Sequence, residues 1–257
     1  MPKITHTVPV LRKAVRVMEA VAHSHGDATA KRLASTLNIS ATTCYRILQS
    51  FVAEGWLRPR AGGAFELSFG LVPLLRPLLR HELLIDCVRA PLSRLARTTG
   101  LTAKITVRQG NDAVTIHSAN SPRDTAIAAR VGAIVSLAIG SSGAVFLSEQ
   151  TDDEISRILD QAPEIAWKYQ SRVDVMRRVR EARRQGSCFD GGSYQTNVNT
   201  ISSPLYAAGN ELVGVITLLG FTQDFAGDAR AVLTRELKYA AGDCTQLIQG
   251  PVTATAA

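Results

Sequence analysis

The sequence predicts an α+β chain of two domains: an N-terminal winged helix-turn-helix, a linker helix, and a C-terminal antiparallel sheet flanked by helices. Three observations carry this. Residues 29–67 hold a capped pair of helical segments followed by a glycine-turned hairpin. Beyond Leu101 the apolar period shortens from the helical 3.6 to two. The 257 residues suffice for two separate cores.

Residues 9–23 read as a first helix with Leu11, Ala14, Val15, Met18, Val21 and Ala22 inward. Thr29 is placed to cap a short second helix whose inner face is Leu33, Ala34 and Leu37. Asn38-Ile39-Ser40 form the turn, and Ser40 can cap the next helix. There Cys44, Ile47, Leu48, Phe51 and Val52 make one apolar stripe, and Glu54-Gly55 closes the helix. The opposite face carries Thr42, Thr43, Tyr45, Arg46, Gln49 and Ser50, without a carboxylate. Such a face can donate to base edges and phosphates in a major groove without adding negative charge. Trp56-Leu57 starts a strand, Arg58 to Gly63 turns, and Ala64–Leu67 returns, a wing with Gly-Gly at its tip. Arg58 and Arg60 sit where a wing touches the sugar-phosphate backbone. An ordinary helix pair with a surface hairpin is the bland alternative.

Charge favours the first reading. Residues 1–70 hold 9 basic and 4 acidic residues, so +5 of the net +7 lies in about a quarter of the chain. An excess confined to the suspected reader is what binding to phosphates requires. No apolar run has transmembrane length, and no charged leader precedes an apolar stretch, so no membrane role is expected. The four cysteines are far apart with no C-x-x-C pair, which suggests a reduced, cytoplasmic protein.

From residue 68 to 99 the chain is leucine-rich and helical, broken by Pro73 and Pro77, with a second helix expected from about Leu78. Ala103, Ile105 and Val107 then alternate with polar residues, and Gln109 to Asp112 turn the chain. Ala113–Ser118, Thr125–Arg130, Ser187–Asp190, Thr200–Tyr206 and Leu212–Gly220 read as further strands. Ser141–Gln150, a segment opened by Asp152, and Asp174–Gln185 read as helices, the last basic and exposed. A closing helix runs from Phe225 or Gly227 to Ile248.

Taken in order, these blocks resemble the IclR family of transcriptional regulators over nearly the whole chain. LASTLNISATTCYRILQSFVAEGWL is similar to the family's winged helix-turn-helix. SPRDTAIAARVG and RRQGSCFDGGSYQTNVNTISSPL are similar to its two later blocks. The resemblance implies a GAF-like sheet that binds a small effector, and assembly as a homodimer or homotetramer. It divides the chain into a DNA-binding domain over 1–68, a linker helix over 69–82, an effector-binding domain over 83–250 and a disordered tail over 251–257. Two departures stand out. Ala138 replaces the family's usual bulky polar residue and Ala144 its usual lysine, while the later block reads Gly192-Ser193 and Asn197 where acids and a glycine are usual. The pocket is therefore expected to be more open and less charged than the family norm.

Gly140-Ser141-Ser142-Gly143 lies at a loop-to-helix junction, where free amides and hydroxyls offer a site for a carboxylate or similar acceptor. The same residues also read as a helix start kept small for close packing. Ser202 and Ser203 offer a second polar edge. Ile139, Cys188, Phe189, Val135 and Val215 are the candidate apolar walls. Asn197 and Asn199 either cap a turn or touch ligand, and His117 reads as a satisfied polar residue. With the family's lysine and acids missing, only dipoles are left to balance a ligand charge, which favours a neutral or singly anionic effector. No metal spacing, paired catalytic carboxylates, Ser/His/Asp order or phosphate-cradling loop is present, so neither metal, cofactor nor catalysis is expected. The sequence thus predicts an effector-responsive regulator of a catabolic operon that binds pseudo-palindromic double-stranded DNA. The alternative is a small-molecule-binding protein or enzyme with an appended helix-turn-helix.

Overall fold

The computed structural model describes residues 8–24, 26–75, 80–193 and 195–250. The chain forms two compact units, divided between Arg80 and His81.

In the first unit α1 (Pro9–Ala22), α2 (Ala30–Leu37) and α3 (Ala41–Ala53) precede the two-stranded sheet of β1 (Leu57–Pro59) and β2 (Phe65–Leu67). Each helix starts where a local signal starts it. Thr29 accepts a bond from the Arg32 amide at the head of α2. Asn38, left-handed at φ 53°, turns the chain, and Ser40 accepts from the Thr43 amide at the head of α3. Leu33, Ile39, Cys44, Ile47, Leu48, Leu57 and Phe65 close one core around Val17 and Val21 of α1. Here α1 departs from expectation. Its sequence offers two overlapping apolar stripes, and the buried one runs through Val17 and Val21. Leu11, Val15 and Ala22, expected inward, are exposed.

The strands and the loop of the wing are placed differently than expected. Arg58 and Pro59 belong to β1, where Arg58 lies opposite Glu66 and Pro59 opposite Phe65. The loop is Arg60–Ala64, closed by a 2.8 Å bond from the Arg60 amide to the Ala64 carbonyl, so Gly62-Gly63 is part of a five-residue loop rather than a two-residue turn. Of the expected linker helix over 69–82, a 3₁₀ turn at Phe69–Leu71 and α4 (Val72–Leu75) are seen before α5 begins at Arg80. Residues 76–79, with Pro77 and Leu78, lie outside the described residues, as does the expected tail 251–257.

The second unit contains α5 (Arg80–Thr99), β3 (Thr102–Gln109), β4 (Asp112–Ala119), β5 (Ile134–Ser136), α6 (Gly140–Ser148), α7 (Asp152–Asp160), α8 (Arg172–Gln185), β6 (Cys188–Gly191), β7 (Val198–Tyr206), β8 (Leu212–Phe221) and α9 (Ala229–Gln249). Six strands form one antiparallel sheet in the order β5-β4-β3-β8-β7-β6. One face carries Ile105, Ile201, Ile216 and Leu218 against Val88 and Leu92 of α5 and Leu237 of α9. The other carries Ala113, Cys188 and Val215 against Phe146 and Leu147 of α6, Ile155 of α7 and Val179 of α8. Both faces of the sheet are therefore covered. This second, inner face positions the site described below.

Two assignments differ from the sequence reading. Thr125–Arg130 alternates like a strand but is loop, and the edge strand is Ile134–Ser136 instead. The loop lies along β4 by single bonds, such as Ser118 Oγ to the Ala129 carbonyl and the Gly132 amide to the Thr115 carbonyl. α8 is not a solvated basic helix throughout: Val175, Arg178, Val179 and Ala182 are buried. Gly143 is fixed by close approach, because a Cβ there would collide with the Leu137 carbonyl oxygen.

Candidate functional site

On α3, the Cys44–Ile47–Leu48 stripe turns the opposite face to solvent. Thr42, Tyr45, Arg46 and Gln49 are exposed there, and none of their side chains has an ion pair or hydrogen-bond partner among the described residues. Thr43 is different: its hydroxyl receives the Ser40 hydroxyl at 2.7 Å, so it belongs to the helix cap. Ser50 turns back onto the Arg46 carbonyl. The wing arginines are already paired, Arg58 to Glu66 at 2.7 Å and Arg60 to the same carboxylate at 3.4 Å.

In the second unit, α6 starts over β7. Ser141 Oγ lies 2.7 Å from both Thr200 Oγ1 and Ser202 Oγ, and Ser202 Oγ lies 2.8 Å from Thr217 Oγ1. The sequence-predicted Ser141 and Ser202 thus meet, but as links of a chain of four hydroxyls. Ser141, Ser202 and Thr217 are closed off, and only Thr200 is half-buried. Ser203 does not join them. It pairs with Ile216 on the other face and donates to the Gly186 carbonyl. Phe189 likewise packs on that other face, beside Phe225, away from the hydroxyl chain. Ile139, Cys188 and Val215 do line the inner core, with Val135 packed against it and Ser142 buried beside them. Burial pushes the Cys188 thiol well above its ordinary pKa, so it is an unreactive packing group.

The helix start is not vacant, as the sequence suggested. The Gly140 amide donates to Ser193 Oγ at 3.1 Å. Ser193 is itself anchored, its amide and hydroxyl donating to Asp190 Oδ2 at 3.1 and 2.8 Å. Asp190 pairs with Arg178 at 3.0 Å, with both side chains 5% exposed or less. Arg178 also donates to the Gln170 amide oxygen, and the Gln170 nitrogen donates to the Ala138 and Ala166 carbonyls. This network locks the 138–140 turn to α8 and β6. It floors a cleft of about 380 Å³ beside Gln170, Phe189, Ser193 and Arg230. Arg178 Nε alone has no partner there. Asn197 and Asn199 hold turns: the Asn197 carbonyl, on a left-handed residue, accepts from the Thr222 amide, and Asn199 Oδ1 accepts from the Thr222 hydroxyl. His117 pairs with Ile105, facing α5, and burial and then Arg89 hold its pKa below the ordinary value.

One residue of this face went unnoticed in sequence. Lys104 stands opposite Ser118 on β4 and Thr217 on β8. It is half-buried, and burial pushes its pKa down. Among the described residues its ammonium has no ion pair or hydrogen bond. The signal was present as a lysine at the polar step of an otherwise buried alternation.

Residues 10–61 match the IclR helix-turn-helix domain, and residues 78–246 match the family described as bacterial transcriptional regulator IclR C-terminal. The chain belongs to the IclR family of transcriptional regulators. As an IclR-family member it has a DNA-binding helix-turn-helix and a C-terminal effector-binding domain. It is 24% identical over 94% of its length to an uncharacterized HTH-type transcriptional regulator of Escherichia coli, RhmR, of which 94% is covered. Among solved structures it is similar to the Thermotoga maritima IclR, with a TM-score of 0.72 at 17% identity over 94% of this chain and 99% of that one. It is also similar to an IclR homolog of Microbacterium hydrocarbonoxydans complexed with 4-hydroxybenzoate, with a TM-score of 0.67 at 18% identity over 93% and 98%. Among the described residues no helix is long and apolar enough to cross a membrane. At the two expected departures stand Ala138 and Ala144, both buried; β3 carries Lys104 on the inner face, and α8 carries Arg178, which is paired with Asp190.

Proposed function

We propose that this IclR-family protein is a cytoplasmic, effector-responsive regulator of a catabolic operon, and that it leaves its effector chemically unchanged. α3 reads the major groove of a pseudo-palindromic operator through Thr42, Tyr45, Arg46 and Gln49, with Thr43 in support and Arg58 and Arg60 on the backbone. The observation that carries this is the outer face of α3: exposed, rich in donors and free of carboxylates, with the side chains of Thr42, Tyr45, Arg46 and Gln49 unpartnered among the described residues. The effector, a small organic or aromatic acid, lies on the inner face of the sheet near Thr200 and the Ser141–Ser202 hydroxyls. The 4-hydroxybenzoate held by the Microbacterium homolog supports an acid of that size. Differential affinity of the effector for two arrangements of the assembly then changes operator affinity.

One reader helix covers too few base pairs to mark a genomic site, so the protein acts at least as a dimer. The exposed Val10, Leu11 and Val15 of α1, with Leu74, Leu75 and Leu83, are apolar groups that a second copy can cover. Leu84, Val88 and Leu92 of the same leucine-rich stretch serve the protein's own core.

The test combines light scattering at micromolar concentration with selection of bound DNA from a random pool and gel-shift titration of the selected site. A thermal-shift screen of organic and aromatic acids follows, with recovery of each acid by chromatography. A monomer, or a pool that yields no enriched two-fold site, overturns the reader proposal. An acid returned chemically altered overturns the non-enzymatic one.

A further inference from the structure

We infer that Lys104 is the charge-selecting residue of the inner face, where its ammonium receives the carboxylate of an anionic effector. The inference rests on the proposal that the effector occupies this face.

Register places the residue. Ser118, Lys104, Thr217, Ser202 and Cys188 form one row across five strands, and cross-strand partners share a face. Lys104 therefore stands at one end of the hydroxyl chain, beside Thr217, and Thr200 stands at the other. These two ends are the half-buried members, whereas Ser141, Ser202 and Thr217 between them are closed off and bonded to one another. A ligand on this face thus meets one cation and one hydroxyl. Strand spacing and rise put the two backbones about 12 Å apart, two strands across and two residues along. A lysine's four-carbon stem spans roughly half of that.

No carboxylate on this face is placed to serve Lys104 among the described residues: Asp190 stands three strands away, on β6, and is held by Arg178 and by both polar hydrogens of Ser193. An ammonium kept half out of water without a counter-charge opposes folding. A methionine would fill the same space without that cost. Groups that cost stability and serve no internal contact are the expected mark of a binding residue. The ligand class is thereby narrowed. Dipoles are not the only charge compensation on this face, so a carboxylate is preferred over its uncharged isostere.

The experiment uses matched pairs: 4-hydroxybenzoate and 4-hydroxybenzamide, benzoate and benzamide, lactate and lactamide, propionate and propionamide. Thermal shift and calorimetry are run on the full chain as wild type, Lys104→Met, Lys104→Gln and Thr200→Val, with circular dichroism to check folding. At least one acid should raise the wild-type melting temperature more than its amide. Lys104→Met and Lys104→Gln should both weaken that acid by roughly tenfold to a hundredfold, the worth of a hydrogen bond to a charged group. They should also bring acid and amide to parity, and Lys104→Met should raise the melting temperature of the free protein. A panel in which no acid surpasses its amide overturns the inference, as does an acid that binds both Lys104 variants as tightly as wild type. If the acid's binding falls in Thr200→Val but not in the Lys104 variants, the effector position stands and Lys104 is not its anchor. The reverse pattern keeps the anchor and moves the rest of the effector away from the hydroxyl chain.

Discussion

The helix that starts at Ser40 and the helix that starts at Gly140 are made of similar materials, small hydroxyl residues over an apolar stripe, yet they use them in opposite ways. Beyond its cap, α3 turns Thr42, Tyr45, Arg46 and Gln49 to water, where no partner among the described residues holds their side chains. α6 is buried from Ser141 to Leu147, and its serine and first amide are bonded to Thr200, Ser202 and Ser193. A polar group in water loses little by waiting for a partner, and DNA can replace the water. A buried one must be satisfied before any ligand arrives. Polar side chains at a helix start are thus left open beyond the cap in one unit and committed to the architecture in the other. On the inner face the two groups that stand out from the bonded chain are Thr200 and Lys104.

The comparison can be broken at several points. The largest effect is expected at Asp190. Asp190→Ala leaves Arg178 buried without a counter-charge and should lower stability by about 3–5 kcal/mol in urea unfolding. Replacing both partners with apolar residues should recover most of this loss. A cost under about 1 kcal/mol, the size of an exposed pair, would show that the lock on the 138–140 turn is dispensable. Next come Tyr45→Ala and Arg46→Ala, each expected to weaken the selected operator by about 1–3 kcal/mol in gel-shift titration. Their melting temperature should stay at the wild-type value, because neither touches the core. Two unchanged affinities would remove α3 from the role of reader. Ser141→Ala should show the reverse pattern. It takes one partner from Thr200 and one from Ser202, which keeps Thr217, lowers stability by about 1–3 kcal/mol and leaves DNA affinity alone. The smallest effect belongs to Ser40→Ala, about 1 kcal/mol of stability from one lost cap. A Ser40 variant more damaging to folding than the Ser141 variant would invert the contrast between the two helix starts.

The first unit was legible because its signals are local. Thr29, Asn38 and Ser40 each act within four residues of their own position, and the Cys44–Leu48 stripe has one period. Even there α1 misled, since two stripes overlap and only packing selects Val17 over Leu11. In the second unit the strands with long alternation, β3, β4, β7 and β8, could be read. Thr125–Arg130 could not be told from them, because what fixes its loop is remote. Arg123 reaches Asp224 at 2.6 Å, and Ser121 binds both the Gly100 carbonyl and Thr102. Lys104 escaped notice for a related reason. The polar step of an alternating antiparallel strand normally faces water. Here α6, α7 and α8 pack on that face of the sheet through Ala113, Cys188 and Val215 of other strands, and nothing in β3 itself announces them. Ser202 and Ser203 are neighbours in sequence and look equivalent, and only the register with Thr217 and Ile216 separates them.

Glu66 gives the wing a property that its two arginines alone would not have. By bridging Arg58 and Arg60 it acts as a built-in counterion, so the wing approaches a duplex partly neutralised. Each phosphate contact made by a bare cation displaces condensed ions and steepens the dependence of affinity on salt by about 0.9 in logarithmic slope. Where a carboxylate must first be let go, the arginine exchanges one anion for another and fewer ions are released. If the wing meets DNA as proposed, loose attachment to random sequence is held down while a correctly seated wing keeps its contacts. Glu66→Gln should therefore tighten binding to non-operator DNA at low salt and steepen its salt dependence by about one unit of slope, with the operator affected less.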